Sequence, residues 1–114
     1  MSSDHDLARV LPLSPTAFHV LVALAQGPKH GYGIAQEVEE LTEGRIKMGP
    51  GTLYGSLQRL STAELIREAD NPGDEGVHAK RRRYYRMTPL GGAALAAEST
   101  RLLRTARLAQ DRLG

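Results

Sequence analysis

The sequence predicts a mainly α-helical fold: three helices, then a two-stranded hairpin, then one long terminal helix. Three observations carry that expectation. Ser14-Pro15 and Thr88-Pro89 each set a hydroxyl side chain before a proline. Such a pair starts a helix, because the hydroxyl accepts a bond from an orphan backbone N–H and proline at the first helical position sacrifices no hydrogen bond. Apolar residues recur at helical spacing in the segments that follow Pro15, Gly33 and Pro50. The stretch KRRRYYRM, residues 80–87, alternates with period two, as a strand does.

The chain's 114 residues, 40% of them hydrophobic, suffice for one modest core. With no Trp, one Phe and only 4% aromatic residues, that core must be built from Leu, Ala, Val and Ile. A small core of this kind often gains stability by oligomerising. Cysteine is absent, which removes disulfides, thiolate metal sites and cysteine nucleophiles together and fits a reducing cytosol. The start, MSSDHDLARV, has no signal pattern, and no apolar run approaches the length that crosses a membrane. The expectation is a soluble, cytoplasmic protein that does not engage membranes.

Residues 1–12 read as a flexible tail, 13–88 as the globular body and 89–114 as the terminal helix. Phe18, Leu21, Val22 and Ala25 form the stripe of the first helix, which Gly27-Pro28 ends. Ile34, Val38 and Leu41 stripe the second, with Gly44 closing it. Arg45-Ile46-Lys47 is too short for more than a stub of strand. Gly49-Pro50-Gly51 then turns the chain into the third helix, whose buried stripe is Leu53, Leu57 and Leu60. At 100° per residue its opposite face carries Gly51, Gly55, Gln58 and Thr62, with Tyr54 and Arg59 on the flanks. Glycine inside a helix costs about 0.5–1 kcal/mol relative to alanine, so two on one polar face suggest close approach by something outside the chain.

Leu65-Ile66-Arg67-Glu68 is extended-compatible and leads into the loop signal DNPGDEG. In the return strand Arg83, Tyr85 and Met87 share one face, and Arg82, Tyr84 and Arg86 the other. After Thr88-Pro89 the terminal helix repeats Leu95, Ser99, Leu102, Ala106, Ala109 and Leu113 at 4-3-4-3-4 spacing, with Leu103 and Leu108 beside them. Nothing else in the chain is evidently left to cover this seam, so a second copy is the expected partner, through Leu95, Leu102, Leu103, Ala106, Ala109 and Leu113.

This order of elements describes a winged helix-turn-helix. The net charge is only +2, but Lys80, Arg81, Arg82, Arg83 and Arg86 fall within seven residues, a cluster suited to phosphates. The third helix presents Thr52, Gln58, Arg59 and Thr62 to base edges or backbone. Tyr54 is open between touching a phosphate and packing its ring on the body. The lesser alternative for the basic run is a solvated edge strand protected by charge.

Other chemistries find less support. Gly49-x-Gly51 lacks the βαβ unit of a dinucleotide site, and no Gly-Lys-Ser/Thr ending marks a phosphate loop. His5, His19, His30 and His78 show no metal-ligand spacing, and no nucleophile–base set emerges, so neither metal, cofactor nor enzymatic activity is expected. Gly31 and Gly33 are expected to permit tight packing at the start of the second helix. The alternative to DNA binding is a winged-helix module whose basic wing meets an acidic protein partner.

Three stretches, LSPTAFHVLVALAQGPKHGYGIAQEVEEL, GPGTLYGSLQRL and RRRYYRMTPLG, resemble in order and spacing the PadR family of bacterial transcriptional regulators, from about Leu13 to Leu95. The resemblance implies a homodimeric repressor of the compact type, with the terminal helix supplying the dimer contact and an inverted-repeat operator in double-stranded DNA as target. It places Thr52, Tyr54 and Ser56 in the recognition-helix motif, and Tyr84 and Tyr85 in the strand after the wing. The DNA-binding set expected is therefore Gly51, Thr52, Tyr54, Gly55, Ser56, Gln58, Arg59, Lys80, Arg81, Arg82, Arg83, Tyr84 and Arg86. A small aromatic inducer between terminal helices and body is a further implied partner, although no Trp is present to sandwich a flat drug.

Overall fold

Both hydroxyl–proline steps start helices in the computed structural model, which describes residues 3–70 and 83–114. In chain order the elements are α1 (Ser3–Val10), α2 (Pro15–Leu24), β1 (Lys29–His30), α3 (Gly31–Leu41), α4 (Pro50–Thr62), β2 (Ile66–Ala69), β3 (Tyr84–Met87) and α5 (Pro89–Leu113). The three expected body helices are α2, α3 and α4, the hairpin strands are β2 and β3, and the terminal helix is α5. The fold is mainly helical, with a small sheet. The loop sequence from Asn71 onward, and Lys80, Arg81 and Arg82, lie outside the described residues.

Local chemistry explains the boundaries. Ser14 Oγ accepts the Ala17 N–H at 3.1 Å to open α2. His30 opens α3 in the same way, its Nδ1 accepting the Gly33 N–H at 3.1 Å. At the end of α3, Gly44 N–H reaches Glu39 O (2.8 Å) and Glu43 N–H reaches Glu40 O (3.2 Å). This paired closure needs a left-handed residue, and Glu43 (φ 53°) takes that conformation ahead of Gly44 (φ 80°). The same closure ends α4, with Glu64 at φ 64°.

The N-terminal segment, expected as a flexible tail, is helical from Ser3 to Val10 and packs on α5. Leu7, Val10 and Leu11, at i, i+3 and i+4, lie against the core. That short stripe gives α1 an apolar side, and the first turns of α5 give it a place to bury it. The reading that nothing remained to cover α5 is therefore corrected: α1 and α2 cover its first half.

Among the described residues the sheet has three strands in the order β1-β3-β2, all antiparallel neighbours. β2 and β3 pair from Ile66↔Met87 to Ala69↔Tyr84. The two-residue β1, unforeseen because so short a strand carries no periodic signal, pairs Lys29↔Tyr85 and His30↔Tyr84. It is held from its other side by Lys29, which donates to the Ala23 carbonyl at the end of α2 and pairs with Glu37 at 3.0 Å. The core lies between α2, α3, α4, the sheet and the start of α5. Leu21, Ile34, Leu57 and Ile66 are its largest fully buried aliphatics, each stabilising by about 1.5–3 kcal/mol relative to exposure.

The start of α5 is joined to the α4–β2 turn. Thr88 Oγ1 accepts the Gly91 N–H (3.0 Å) and donates to the Glu64 carbonyl (2.6 Å), while Thr88 N–H donates to Leu65 O (3.0 Å). Gly91 lies so close to this turn that a Cβ there would stand 2.1 Å from Leu65 O. Only glycine fits such an approach.

Candidate nucleic-acid interface

The apolar stripe of α4 faces inward, with Leu53, Leu57 and Leu60 buried. Thr52, Tyr54, Gln58, Arg59 and Thr62 remain exposed along the outer side, and Tyr54 keeps 53% of its surface. Glycine placement fits an outward reading for Gly51, since a Cβ there would meet nothing of the chain within 4 Å. At Gly55 a Cβ would stand 3.6 Å from Arg59 Nη1, an ordinary contact. Neither glycine is therefore demanded by internal packing. Gly31 does sit in packing, buried against the Leu53, Leu57 and Tyr54 side chains, and a Cβ at Gly33 would touch the His30 ring.

Ser56 departs from its expected role as a direct contact. It is buried, and its Oγ accepts a bond from Arg59 Nη2 at 3.2 Å. At three residues from Leu53 and one from Leu57 it falls on the inner side of the helix, where it holds the guanidinium of Arg59 back along α4.

The N-terminus of α4 is open. Gly49 has no side chain to cap it, Pro50 follows, and the first turn holds no acidic residue. Unsatisfied N–H groups with their positive end of the helix dipole suit an incoming phosphate.

On the wing, β3 alternates as expected: Tyr85 is buried, Tyr84 half-buried and Arg86 exposed. Burial pushes the Tyr85 hydroxyl's pKa up, with the Glu68 carboxylate adding to the effect and Arg83 opposing it. Arg83 is exposed and reaches Glu68 at 3.9 Å across the hairpin, a pair too open to contribute much stability. Arg67, which sequence reasoning passed over, stands directly opposite Arg86 in the register, and both are exposed. Like charges facing each other across strands repel, so this pair is better suited to an anion than to the free sheet.

Tyr84 packs its ring edge-on to His30, with centroids 5.5 Å apart, and His30 lies parallel to Tyr32 at 6.3 Å. These rings join the wing to the start of α3, and Tyr32 stays 66% exposed beside them. Tyr32 is a second residue missed by the sequence reading. Between α3 and α4 a cleft of about 440 Å³ is bordered by Tyr32, Tyr54, Met48 and Glu39. His19 is engaged within its own helix, its Nδ1–H donating to the Pro15 carbonyl at 2.6 Å. Among the described residues, no three His, Asp or Glu side chains converge as metal ligands, and no helix is long and apolar enough to cross a membrane.

The terminal helix changes character along its length. Gly91, Ala94 and Glu98 are buried, and Leu95 packs half-buried on the core of its own domain. Leu95, expected in a dimer seam, is thus in contact with its own body as well, where α1 and α2 pack on α5. From Arg101 onward every residue is exposed, including Leu102, Leu103, Leu108 and Leu113.

The model of the PadR-like family of transcriptional regulators matches residues 20–97. The chain belongs to that family. It is similar to the transcriptional regulator Rv3488 of Mycobacterium tuberculosis, with 35% identity over 89 residues, 78% of this chain and 77% of that protein. It is 39% identical over 85 residues to an uncharacterized 37.1 kDa protein of transposon Tn4556 from Streptomyces fradiae, covering 75% of this chain but only 22% of that longer protein. Among solved structures it resembles a PadR family transcription regulator of Clostridium difficile, at TM-score 0.72 and 21% identity over 89% of this chain and all of the other. A further likeness is to RosR of h. salinarum, at TM-score 0.68 and 23% identity, over 84% and 79% of the two chains. This PadR-family chain is accordingly a DNA-binding transcriptional regulator with a winged-helix body.

Proposed function

We propose that the protein is a homodimeric repressor that binds an inverted-repeat operator in double-stranded DNA. Each α4 enters a major groove with Thr52, Gln58 and Arg59 toward the bases, Tyr54 at the flank, and Gly51 and Gly55 leaving room for close approach. Arg67, Arg83 and Arg86 meet the backbone beside it, and Lys80, Arg81 and Arg82, which precede Arg83 in the sequence, add phosphate contacts. Ser56 and Tyr84 act from behind, one holding Arg59 and the other holding the wing to α3.

The observation that carries this reading is the exposed polar side of α4, together with the exposed, opposed Arg67–Arg86 pair of the hairpin. Two copies join through the exposed half of α5, by Leu102, Leu103, Ala106, Ala109 and Leu113, since a helix leaving its body with uncovered leucines needs an apolar partner. Half-sites lie about one helical turn apart, roughly 34–36 Å. A bound dimer that overlaps a promoter denies the DNA to polymerase, which gives repression. An aromatic inducer would act where α5 leaves the body, beside a cleft of about 300 Å³ bordered by Leu11, Pro12, Ala97, Glu98 and Arg101.

The experiment is fluorescence anisotropy on the DNA upstream of the protein's own reading frame, against a scrambled duplex, at two salt concentrations. Preference for the first duplex, weakening with salt, is expected. Equal weak binding to both would refute a specific operator there and turn attention to an acidic protein partner of the wing. A reporter fused to the bound DNA then reads the sign of regulation and screens aromatic inducers.

A further inference from the structure

We propose that Glu98 is the joint that fixes the angle at which the α5 arm leaves the DNA-binding body, and so sets the half-site separation a dimer can bind. The inference rests on the dimer reading above.

α5 is one uninterrupted helix of 25 residues. Its inner side is buried at Gly91, Ala94 and Glu98 and at no later position, so Glu98 is where the helix parts from the body. The Glu98 side chain is only 2% exposed. Its Oε2 accepts the Leu13 N–H at 3.1 Å, a bond spanning 85 positions of the chain. Arg101, one turn on, donates Nε to Oε1 at 2.8 Å and Nη2 to Oε2 at 2.9 Å. Leu13 is itself in the core and directly precedes Ser14, the cap of α2. The carboxylate therefore ties the arm's exit point to the connection between α1 and α2.

Stability alone does not account for an acid here. A buried carboxylate is costly to desolvate, and a well-packed apolar side chain of similar volume often serves as well or better. A directional bond to a backbone N–H does what apolar packing does poorly, which is to forbid sliding and tilting. The lever is long enough for this to matter. From residue 98 to 113 the arm runs about 22 Å at 1.5 Å per residue. A tilt of about 10° at the joint moves its tip by about 4 Å, more than the 3.4 Å rise of one base pair along a strand. Two-fold symmetry doubles the effect on the distance between the two α4 helices.

The test compares the wild type with Glu98→Leu, which keeps side-chain volume, and with Arg101→Ala, which alters an exposed partner and leaves the core intact. The protein has no cysteine, so Glu40→Cys on the exposed side of α3 accepts a single spin label per protomer in each background. Electron–electron distance measurements read the separation of the two bodies, sedimentation reads the dimer, and anisotropy reads binding to operators whose half-site spacing is changed by one or two base pairs. In the wild type a narrow distance distribution and a spacing penalty of about tenfold, equivalent to about 1.4 kcal/mol, are expected. Both variants should stay dimeric while the distribution broadens and the spacing penalty falls several-fold. A merely stabilising role would move the melting temperature and leave spacing preference alone. A dimeric wild type whose variants keep its distances and its spacing preference overturns the inference and leaves the dimer reading standing. Should Glu98→Leu fail to fold, Arg101→Ala decides: unchanged distances and spacing overturn the inference. A monomeric wild type overturns both.

Discussion

Replacing Gly91 with alanine drives a methyl group into space the backbone already fills. The new Cβ would stand 2.1 Å from Leu65 O and 2.8 Å from Met87 Cγ. The methionine can swing aside, but the carbonyl cannot: Leu65 O accepts the Thr88 N–H, and the same turn offers Glu64 O to the Thr88 hydroxyl. Relief requires α5 to move by more than about 1 Å from the turn, and overpacking of this kind typically costs about 1–3 kcal/mol. Weakening the Thr88–Leu65 bond adds about 0.5–1.5 kcal/mol. Alanine's better helix propensity returns at most about 1 kcal/mol. The net expectation is a loss of about 2–3 kcal/mol. Urea unfolding at fixed protein concentration measures it, and with m near 1–3 kcal/mol per M the midpoint should fall by about 1–2 M. Gly92→Ala is the internal control, because its Cβ would meet only Met87 Cε at an ordinary 3.5 Å. If Gly91→Ala proves as stable as Gly92→Ala, the close approach of α5 to the turn is wrong.

Further outcomes follow from the same geometry. Arg67→Ala should weaken DNA binding alike for all sequences and reduce the salt slope by about 1, without lowering stability, because it relieves the repulsion with Arg86; titrations at several salt concentrations check this. Gln58→Ala should change preference at one position of the operator, by about 1–3 kcal/mol, as read by competition among single-base variants. Glu64→Gly should stabilise the fold by about 0.5–1 kcal/mol in urea melts, since glycine bears the left-handed conformation there more easily. The bonds from Arg101 hold the Glu98 carboxyl below the usual glutamate range, with the Leu13 N–H assisting and burial opposing. A depressed folded-state pKa contributes stability that is complete above the unfolded value and is lost as pH falls through the folded one. Acidification should therefore lower the melting temperature of the wild type more steeply than that of Glu98→Leu.

The sequence made the helices legible because hydroxyl–proline starts and leucine stripes are local signals. α4 begins at Pro50, and α5 runs from Pro89, where those signals stand. The outer side of α4 was legible too, since one helical stripe fixes the opposite face. Ser56 was not, because its place in a sequence motif drew it outward while its angle beside Leu57 turned it in. β1 escaped because two residues have no period, and it exists only by pairing with β3. α1 was overlooked although Leu7, Val10 and Leu11 carry helical spacing, its acidic and polar start having the composition of a tail. Glu98 was passed over because a heptad register through Leu95 and Leu102 left it between stripes. The register actually buried runs through Gly91, Ala94 and Glu98, and only the tertiary contact with Leu13 shows why.

The order of the sheet bears on how copies of this chain avoid one another. With β3 in the middle, its two flanks are occupied by β1 and β2, and among the described residues the free borders are two and four residues long. The longer border carries the exposed charges Arg67 and Glu68, and the shorter one is pinned by Lys29 to the end of α2. Short, charged or tethered borders are poor templates for an added strand. A protein that leaves leucines uncovered on one helix thereby closes off strand-to-strand growth, the route by which self-association becomes aggregation.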